Sequence, residues 1–180
     1  YFMGQNYRRE WSAPVNMKVL DFDTEKGGLK IVSLGGGTQT RSLRLVDKSG
    51  KEWVLRTVKK YTDKAFAENV MGSSRDQFKP EISTAAHPYA SMVIPGLANA
   101  LDLKVARPEL FYVPKDSLAL GLYTKLFANN VCILEPRNFT EDGSETKTTA
   151  KIFFKNMLED NDHRADQPAV LKARLLDFII

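Results

Sequence analysis

Hydrophobic and polar residues alternate along the first third of the chain in a way that predicts β-strands. An apolar run at residues 29–34 leads to three glycines, and residues 38–46 then alternate apolar and polar side chains. A turn at residues 47–50 returns the chain as a second alternating segment, residues 52–60. Alternation with a period of two is typical of strands with one buried face, and Asp and Gly favour a hairpin turn. The pattern predicts three antiparallel strands, preceded by a short strand at residues 17–22.

The remaining two thirds of the chain mix helical and extended patterns. Helical patterns cover residues 64–71, 81–102, 150–159 and 167–180, and extended patterns cover residues 108–114 and 130–134. We expect Pro88 and Pro95 to divide the second helical region, because proline lacks a backbone N–H. Asp166 should cap the last helix. One face of that helix collects its large apolar residues, Val170, Leu171, Leu175, Phe178 and Ile179. The fold class predicted is α+β, an antiparallel sheet with a glycine-rich hairpin and packed helices.

The composition indicates a general class of protein but does not indicate a function. With 180 residues, 43% hydrophobic and 27% charged, the chain matches an ordinary globular domain. The net charge is +4, and the basic residues are interspersed with acidic ones. This pattern does not predict nucleic-acid binding and fits a phosphorylated ligand as well. No apolar run reaches the roughly 18 residues of a membrane span. The chain opens on Tyr1 and closes on an apolar run ending at Ile180, so we expect it to be a piece of a longer protein.

The glycine turn, Gly35 to Gly37, is the strongest candidate for chemistry. Three glycines are costly inside a strand, but they let backbone N–H groups approach a phosphate closely. The turn lacks the Gly-Lys-Ser/Thr end of a Walker loop, and a strand follows it instead of the helix of a dinucleotide site. A plain flexible hairpin therefore stays open. A glycine turn between two antiparallel strands, with a basic residue on the third, is also the layout of a kinase-like nucleotide lobe.

Other reactive residues give no site. Cys132 lies within an apolar run, which predicts a buried and inert thiol. His87 and His163 have no partner at metal-ligand spacing, and we expect His87 to pack at a helix end. Residues 1–15 are aromatic and basic. They are either an arm that docks on a preceding domain or an irregular lead-in whose Trp11 packs on the core.

Several stretches of the chain resemble known families. The run GGLKIVSLGGGTQTRSLRLVDKSGKEWVLRTVKK, with the later EISTAAHPYA, ILEPR and KARLLDFII, resembles a domain of large uncharacterised bacterial proteins. In those proteins it lies between a calcineurin-like metallophosphoesterase domain and an outer-membrane β-barrel. The run SLRLVDKSGKEWVLRTVKKYTDKAFAEN is similar to the nucleotide-lobe strands of CotH-type spore-coat kinases. The last helix resembles the one before the catalytic loop in CotH-type and HipA-type atypical kinases. The resemblance implies a multidomain protein of the periplasm or outer membrane.

The resemblance also implies which residues would bind a nucleotide. The residues of the phosphate-covering loop would be Gly35, Gly36, Gly37, Thr38 and Gln39, with Thr40 at its end. Either Arg56 or Lys59 would contact the α- and β-phosphates. The two residues are three positions apart, so their side chains face opposite sides of a strand. Lys59 is slightly preferred, because it shares a strand face with Trp53, Leu55 and Thr57. Either Glu68 or Glu81 would orient the basic residue. Glu135 would lie near the hinge.

The same resemblance divides the chain and limits what it can do alone. Residues 1–15 would be a lead-in arm, residues 16–137 the nucleotide lobe, and residues 138–180 the start of a helical lobe. The catalytic aspartate and metal ligands of such kinases would follow Ile180. Because phosphoryl transfer needs Mg²⁺ and a positioned base, we expect ATP and Mg²⁺ to bind only in the complete domain, and no residue here is assigned to catalysis or metal binding. The competing interpretation is a non-catalytic periplasmic module that contacts neighbouring domains of the same polypeptide.

Overall fold

The structure, a computed structural model, describes residues 6–35, 40–61, 84–103, 105–137 and 166–179. The chain divides into two units, Tyr1–Met92 with Arg107–Arg137 and Val93–Ala106 with Asn138–Ile180. The predicted helices at 64–71 and 150–159 lie outside the described residues. No helix within the described ranges is long and apolar enough to cross a membrane.

The described part of the first unit is built on one six-stranded sheet. Its strands are β1 (Lys18–Val19), β2 (Leu29–Gly35), β3 (Ser42–Asp47), β4 (Glu52–Thr57), β5 (Glu109–Val113) and β6 (Asn130–Pro136). Their order across the sheet is β1-β5-β6-β4-β3-β2. β1 pairs with β5 in parallel, and the other neighbouring strands pair antiparallel. The predicted α+β class and the antiparallel pairing of β2, β3 and β4 are confirmed.

Short helices accompany the sheet, and longer ones lie elsewhere in the chain. The helices are α1 (Arg8–Ser12), α2 (Ala90–Ala100), α3 (Ser117–Leu120), α4 (Thr124–Phe127) and α5 (Gln167–Ile179), with 3-10 turns at Glu25–Gly27 and Gly121–Tyr123. Pro95 lies inside α2 and does not divide it, contrary to prediction. Its missing N–H costs one helical hydrogen bond, which the rest of the helix tolerates.

The turn between β3 and β4 is fixed by the side chain of Asp47. One carboxylate oxygen accepts hydrogen bonds from the backbone N–H of Ser49 and of Lys51, at 2.9 and 3.0 Å, and from the Ser49 hydroxyl at 2.6 Å. The other oxygen accepts from the indole N–H of Trp53 at 2.9 Å. Gly50 takes a φ of +86°, which suits glycine. This local chemistry sets the register of β3 against β4.

The hydrophobic core lies on one face of the sheet. It contains Leu43 and Leu45 of β3, Trp53 and Leu55 of β4, and Cys132 and Leu134 of β6, together with Phe111 and Val113 of β5. Leu120 of α3 and Phe127 of α4 are at most 1% exposed and belong to the same cluster. Each fully buried aromatic or aliphatic side chain contributes about 1.5–3 kcal/mol. The helical turns after β5 therefore cover this face.

The lead-in segment packs within the first unit. The indole N–H of Trp11 in α1 donates to the carbonyl oxygen of Ala86 at 3.0 Å, and the backbone N–H of Tyr7 donates to that of Thr84 at 2.8 Å. These contacts are with residues 84–86, so both the docking arm and the packing of Trp11 on the core stay predictions. The strand predicted at 17–22 is shorter, β1, and the following Leu20 and Phe22 belong to the core.

In the second unit, the start of α5 follows prediction and its apolar face does not. Asp166 caps the helix, since its carboxylate accepts the backbone N–H of Ala169 at 3.0 Å. No residue of α5 is buried. The apolar residues expected to face inward include several with large exposed fractions, namely Leu171 63%, Leu175 54%, Phe178 90% and Ile179 78%. An apolar stripe at helical spacing predicts a face, but it cannot say whether anything covers that face.

Candidate functional site

The second face of the sheet, here called the open face, carries charged side chains. Alternate residues of β3, β4 and β6 point away from the core, and these are Ser42, Arg44, Val54, Arg56, Ile133 and Glu135. Arg44 and Glu135 both stand opposite Val54, on the two strands that flank β4. Ser42 and Ile133 stand opposite Arg56 in the same way. Cross-strand neighbours lie roughly 5 Å apart, so the β3 and β6 residues of this set lie next to Val54 and Arg56 of β4.

A groove of about 280 Å³ runs over this face. Its lining residues come from four strands and the residue after β6, and they are Gly35, Ser42, Arg44, Val54, Arg56, Glu135, Pro136 and Arg137. Val54 and Pro136 supply an apolar strip, while guanidinium groups surround it. The groove therefore joins a surface suited to a flat apolar group with cations suited to an anion.

Arg56 is tied to Glu135 across the groove. The Nη2 atom of Arg56 lies 3.1 Å from Oε1 of Glu135, and the two side chains are 49% and 28% exposed. They are diagonal neighbours, because Arg56 stands opposite Ile133 and Glu135 lies two residues further along β6. The pair is solvent-accessible and hence contributes about 1 kcal/mol or less to stability.

A second ion pair lies where β6 ends. The backbone N–H of Arg137 donates to the carbonyl oxygen of Glu52 at 3.0 Å, and the Arg137 guanidinium pairs with the Glu52 carboxylate. Arg44 is exposed and forms no ion pair within the part of the chain that the structure describes. Among the described residues of this region, three guanidinium groups stand against two carboxylates, which is an excess of one positive charge. The groove therefore favours an anionic ligand.

Gly35 closes one end of the groove and has a steric reason to be glycine. A Cβ atom at this position would lie 2.2 Å from the Ser42 hydroxyl oxygen, against which Gly35 is paired in the sheet. Glycine allows the strands to approach closely here. The other residues predicted for the loop, Gly36, Gly37, Thr38 and Gln39, lie outside the described residues.

Lys59 lies outside the groove. β4 ends at Thr57, whose buried hydroxyl accepts the Arg41 backbone N–H and donates to the Lys59 carbonyl oxygen, both at 3.1 Å. The Lys59 ammonium lies 5.8 Å from the centre of the Tyr61 ring, and the Arg41 guanidinium stacks on that ring at 3.7 Å. Of the two basic residues predicted as alternatives, Arg56 lines the groove. Glu68 and Glu81, predicted to orient the basic residue, lie outside the described residues.

Sequence reasoning missed Arg44, Arg137 and Glu52. A signal for Arg44 existed, because the turn at 47–50 fixes which β3 residues share a face with Arg56. The pairing of Arg137 with Glu52 depends on β6 lying beside β4, and the two residues are 85 positions apart in the chain. No local sequence pattern predicts this pairing. Glu135, predicted near a hinge, stands at the groove.

The two other groups considered from the sequence behave as structural residues. Cys132 is buried, and loss of solvent raises the pKa of its thiol to about 12. A thiol with such a pKa is a poor nucleophile at neutral pH. His87 accepts the Tyr89 backbone N–H at 3.1 Å and contacts the Tyr7 ring edge-on. In the described ranges, no three His, Cys, Asp or Glu residues gather as a metal site.

Comparison with protein families, with curated proteins and with solved structures gave no match to this chain. The groove and the sequence are therefore the basis for inferring a function.

Proposed function

We propose that this chain carries the nucleotide-binding lobe, and the start of the helical lobe, of a kinase-like phosphotransferase. ATP with Mg²⁺ is the ligand, bound by the complete protein. The observation that supports this function best is the groove on the open face, where Gly35, Arg56 and Glu135 lie together.

The strands that form the groove support this proposal through their order. β2, β3 and β4 are consecutive antiparallel strands, and β6 lies next to the third of them. The glycines follow β2, the basic residue Arg56 lies on β4, and β6 runs into the connector at Arg137. In kinases the glycine-rich loop covers the phosphates and a basic residue on the third strand contacts them. This chain has a run of glycines after β2 and a basic residue, Arg56, on β4, in that order, which supports the proposal.

The side chains of the groove suit the parts of a nucleotide. Val54 and Pro136 offer apolar contacts to a base, and Arg56 offers a planar fork of donors that matches phosphate oxygens. The described residues do not fit a Mg²⁺ site of their own, because the two carboxylates of this region are each held by an arginine. Mg²⁺ is commonly held by few protein carboxylates and by the phosphates themselves. Mg²⁺ would therefore be held by the phosphates of the nucleotide, and no described residue is assigned to it.

A titration of the full-length protein with ATP and Mg²⁺ tests this function. Arg56→Ala should weaken binding about 10- to 100-fold, the range for losing a charge-assisted hydrogen-bonded contact. Lys59→Ala decides between the two basic residues, and we expect a smaller effect because Lys59 lies outside the groove. Lys48→Ala is the control, since Lys48 is exposed in the turn at the far end of β3.

Two results would count against the proposal. Absence of ATP binding to the folded full-length protein would rule out a nucleotide-binding lobe. Loss of binding in the Lys59 variant, with binding kept in the Arg56 variant, would show that the ligand does not occupy the groove.

A second function, a non-catalytic interaction module, is favoured by two leucines of the first unit. Leu118 and Leu122 follow β5 and are each 96% exposed, which is unusual for large apolar side chains four residues apart. Neighbouring domains of the same polypeptide would cover them. The periplasmic or outer-membrane location proposed with this function depends on the sequence resemblance alone.

Labelling of Leu118→Cys in the full-length protein tests the interaction module. Slow reaction with a polar thiol reagent is expected if another domain covers this position, and fast reaction is expected if the leucines are exposed. Cys132 gives little background because it is buried.

A further inference from the structure

Glu135 occupies the position where an anionic ligand would meet Arg56. Its carboxylate lies 3.1 Å from the guanidinium, inside the groove, and both side chains line it. Glu135 accepts from one guanidinium nitrogen, Nη2, and a phosphate that contacts this edge of the guanidinium with two hydrogen bonds would need the same donor. The carboxylate and the ligand therefore compete for one guanidinium.

The sheet holds Glu135 in this place. Its neighbours Leu134 and Cys132 on β6 are fully buried on the core face, which fixes the strand. Glu135 stands opposite Val54, and Val54 also stands opposite Arg44. The carboxylate therefore stays at the groove whether or not a ligand is present, and only its side-chain rotamer is free to change.

From this arrangement we infer that Glu135 is an internal competitor that sets the affinity and charge selectivity of the groove. The inference rests on the proposed function, since it concerns the same site. A ligand with one negative charge only replaces one carboxylate by another and gains little. A ligand with several adjacent charges, such as a di- or triphosphate, engages Arg56 and also the exposed Arg44, so it displaces Glu135. The pair thereby selects polyphosphates over simple carboxylates and monoanions.

Arg44 makes the exchange favourable for a polyphosphate. It forms no ion pair with the other described residues. It lies on β3 opposite Val54, so it is a diagonal neighbour of Arg56 on β4. A second phosphate can reach it while the first contacts Arg56. Arg137 differs from Arg44, because Glu52 already neutralises it.

The test is a calorimetric titration of the full-length protein and its Glu135→Gln variant with three probes, namely ATP with Mg²⁺, inorganic pyrophosphate and acetate. Because a solvent-accessible ion pair contributes about 1 kcal/mol or less, the variant should bind pyrophosphate and ATP about 2- to 5-fold more tightly than wild type. Acetate should bind the wild type negligibly and the variant measurably. Glutamine keeps the size of the side chain and removes the charge.

Glu52→Gln is the matched control. It removes the same charge from the neighbouring pair without freeing Arg56, so it should strengthen pyrophosphate binding clearly less than Glu135→Gln does. The Arg56→Ala/Glu135→Gln double variant should bind no more tightly than Arg56→Ala alone, because the competitor acts through Arg56. Circular dichroism of each variant verifies that it is folded.

The outcomes separate this inference from the proposed function. Tighter pyrophosphate binding in Glu135→Gln, without any ATP binding, supports the role of Glu135 as a competitor and rules out the nucleotide-binding function. ATP binding that is unchanged or weaker in Glu135→Gln overturns the competitor and leaves the nucleotide lobe intact. Equal gains in the Glu52 and Glu135 variants also overturn it, since they would show a general effect of charge. Absence of binding of every probe to every variant overturns both.

Discussion

The two faces of the sheet use the same strands for different purposes. On the core face of β3, β4 and β6, the apolar side chains are at most 8% exposed. On the open face, residues of the same strands form the groove with its two ion pairs. Burial of apolar area dominates folding stability, and solvent-accessible ion pairs add little. The core face thus determines stability, and the open face can carry binding groups at small cost.

The largest difference between the two faces is expected when two adjacent residues of β4 are substituted one at a time. Leu55 is fully buried and Val54 faces the groove. Leu55→Ala should lower the free energy of unfolding by about 2–5 kcal/mol through lost burial and a cavity. Val54→Ala should cost less than about 1 kcal/mol, because its neighbourhood is open. Urea denaturation followed by tryptophan fluorescence measures both, and equal losses would contradict the division between faces.

Gly35 tests how closely the strands approach at the end of the groove. Gly35→Ala should lower the free energy of unfolding by about 1–3 kcal/mol, because overpacking forces neighbouring atoms to move. The Ser42 hydroxyl can rotate away, but the new Cβ would still lie 3.2 Å from the Ser42 Cβ and 3.3 Å from its carbonyl oxygen. Gly96→Ala in α2 is the matched control. It meets no atom within 4 Å and should stabilise the helix by about 0.5–1 kcal/mol. A neutral Gly35 variant would show that β2 shifts easily.

Asp47 tests the core face at the hairpin turn. Burial raises the pKa of its carboxyl, but hydrogen bonds from Ser49, Trp53 and Lys51 outweigh burial and hold the pKa below the usual 3.8. Asp47→Asn should lower stability by about 1–2 kcal/mol at neutral pH, since asparagine cannot accept all of these bonds.

The pH dependence of the Asp47 variant has a definite sign. A lowered folded pKa gives stability that is present above the unfolded value of 3.8 and is lost as pH falls through the folded pKa. The difference in melting temperature between wild type and Asp47→Asn should therefore narrow in acid below about pH 3.8. A difference that stays constant with pH would show that shape and not charge is responsible.

The smallest effect is expected on the open face. Glu135→Gln should change the free energy of unfolding by less than about 1 kcal/mol, because the pair with Arg56 is solvent-accessible. The same variant is expected to change anion binding. A large loss of stability, seen by denaturation in the same buffer, would mean that the groove residues maintain the fold and would weaken their assignment to binding.

Local chemistry made much of the sheet predictable. Alternation predicted β2, β3 and β4, although the pattern continued to residue 60 and β4 stops at Thr57. Beyond the end of the strand, the Thr57 hydroxyl donates to the Lys59 carbonyl oxygen instead of facing solvent. The cap at Asp166 and the burial of Cys132 were also predictable, since each follows from residue type and immediate neighbours.

By itself, the sequence determined strands β2, β3 and β4 and the turn at Asp47, because these depend on contacts within a few residues. Only the tertiary structure decided that β6 lies beside β4, and this pairing alone brings Glu135 to Arg56. It also decided that Arg56, and not Lys59, lines the groove. The reason is that strand pairing between distant segments is set by how the core face packs, and no local pattern encodes which charges that packing brings together.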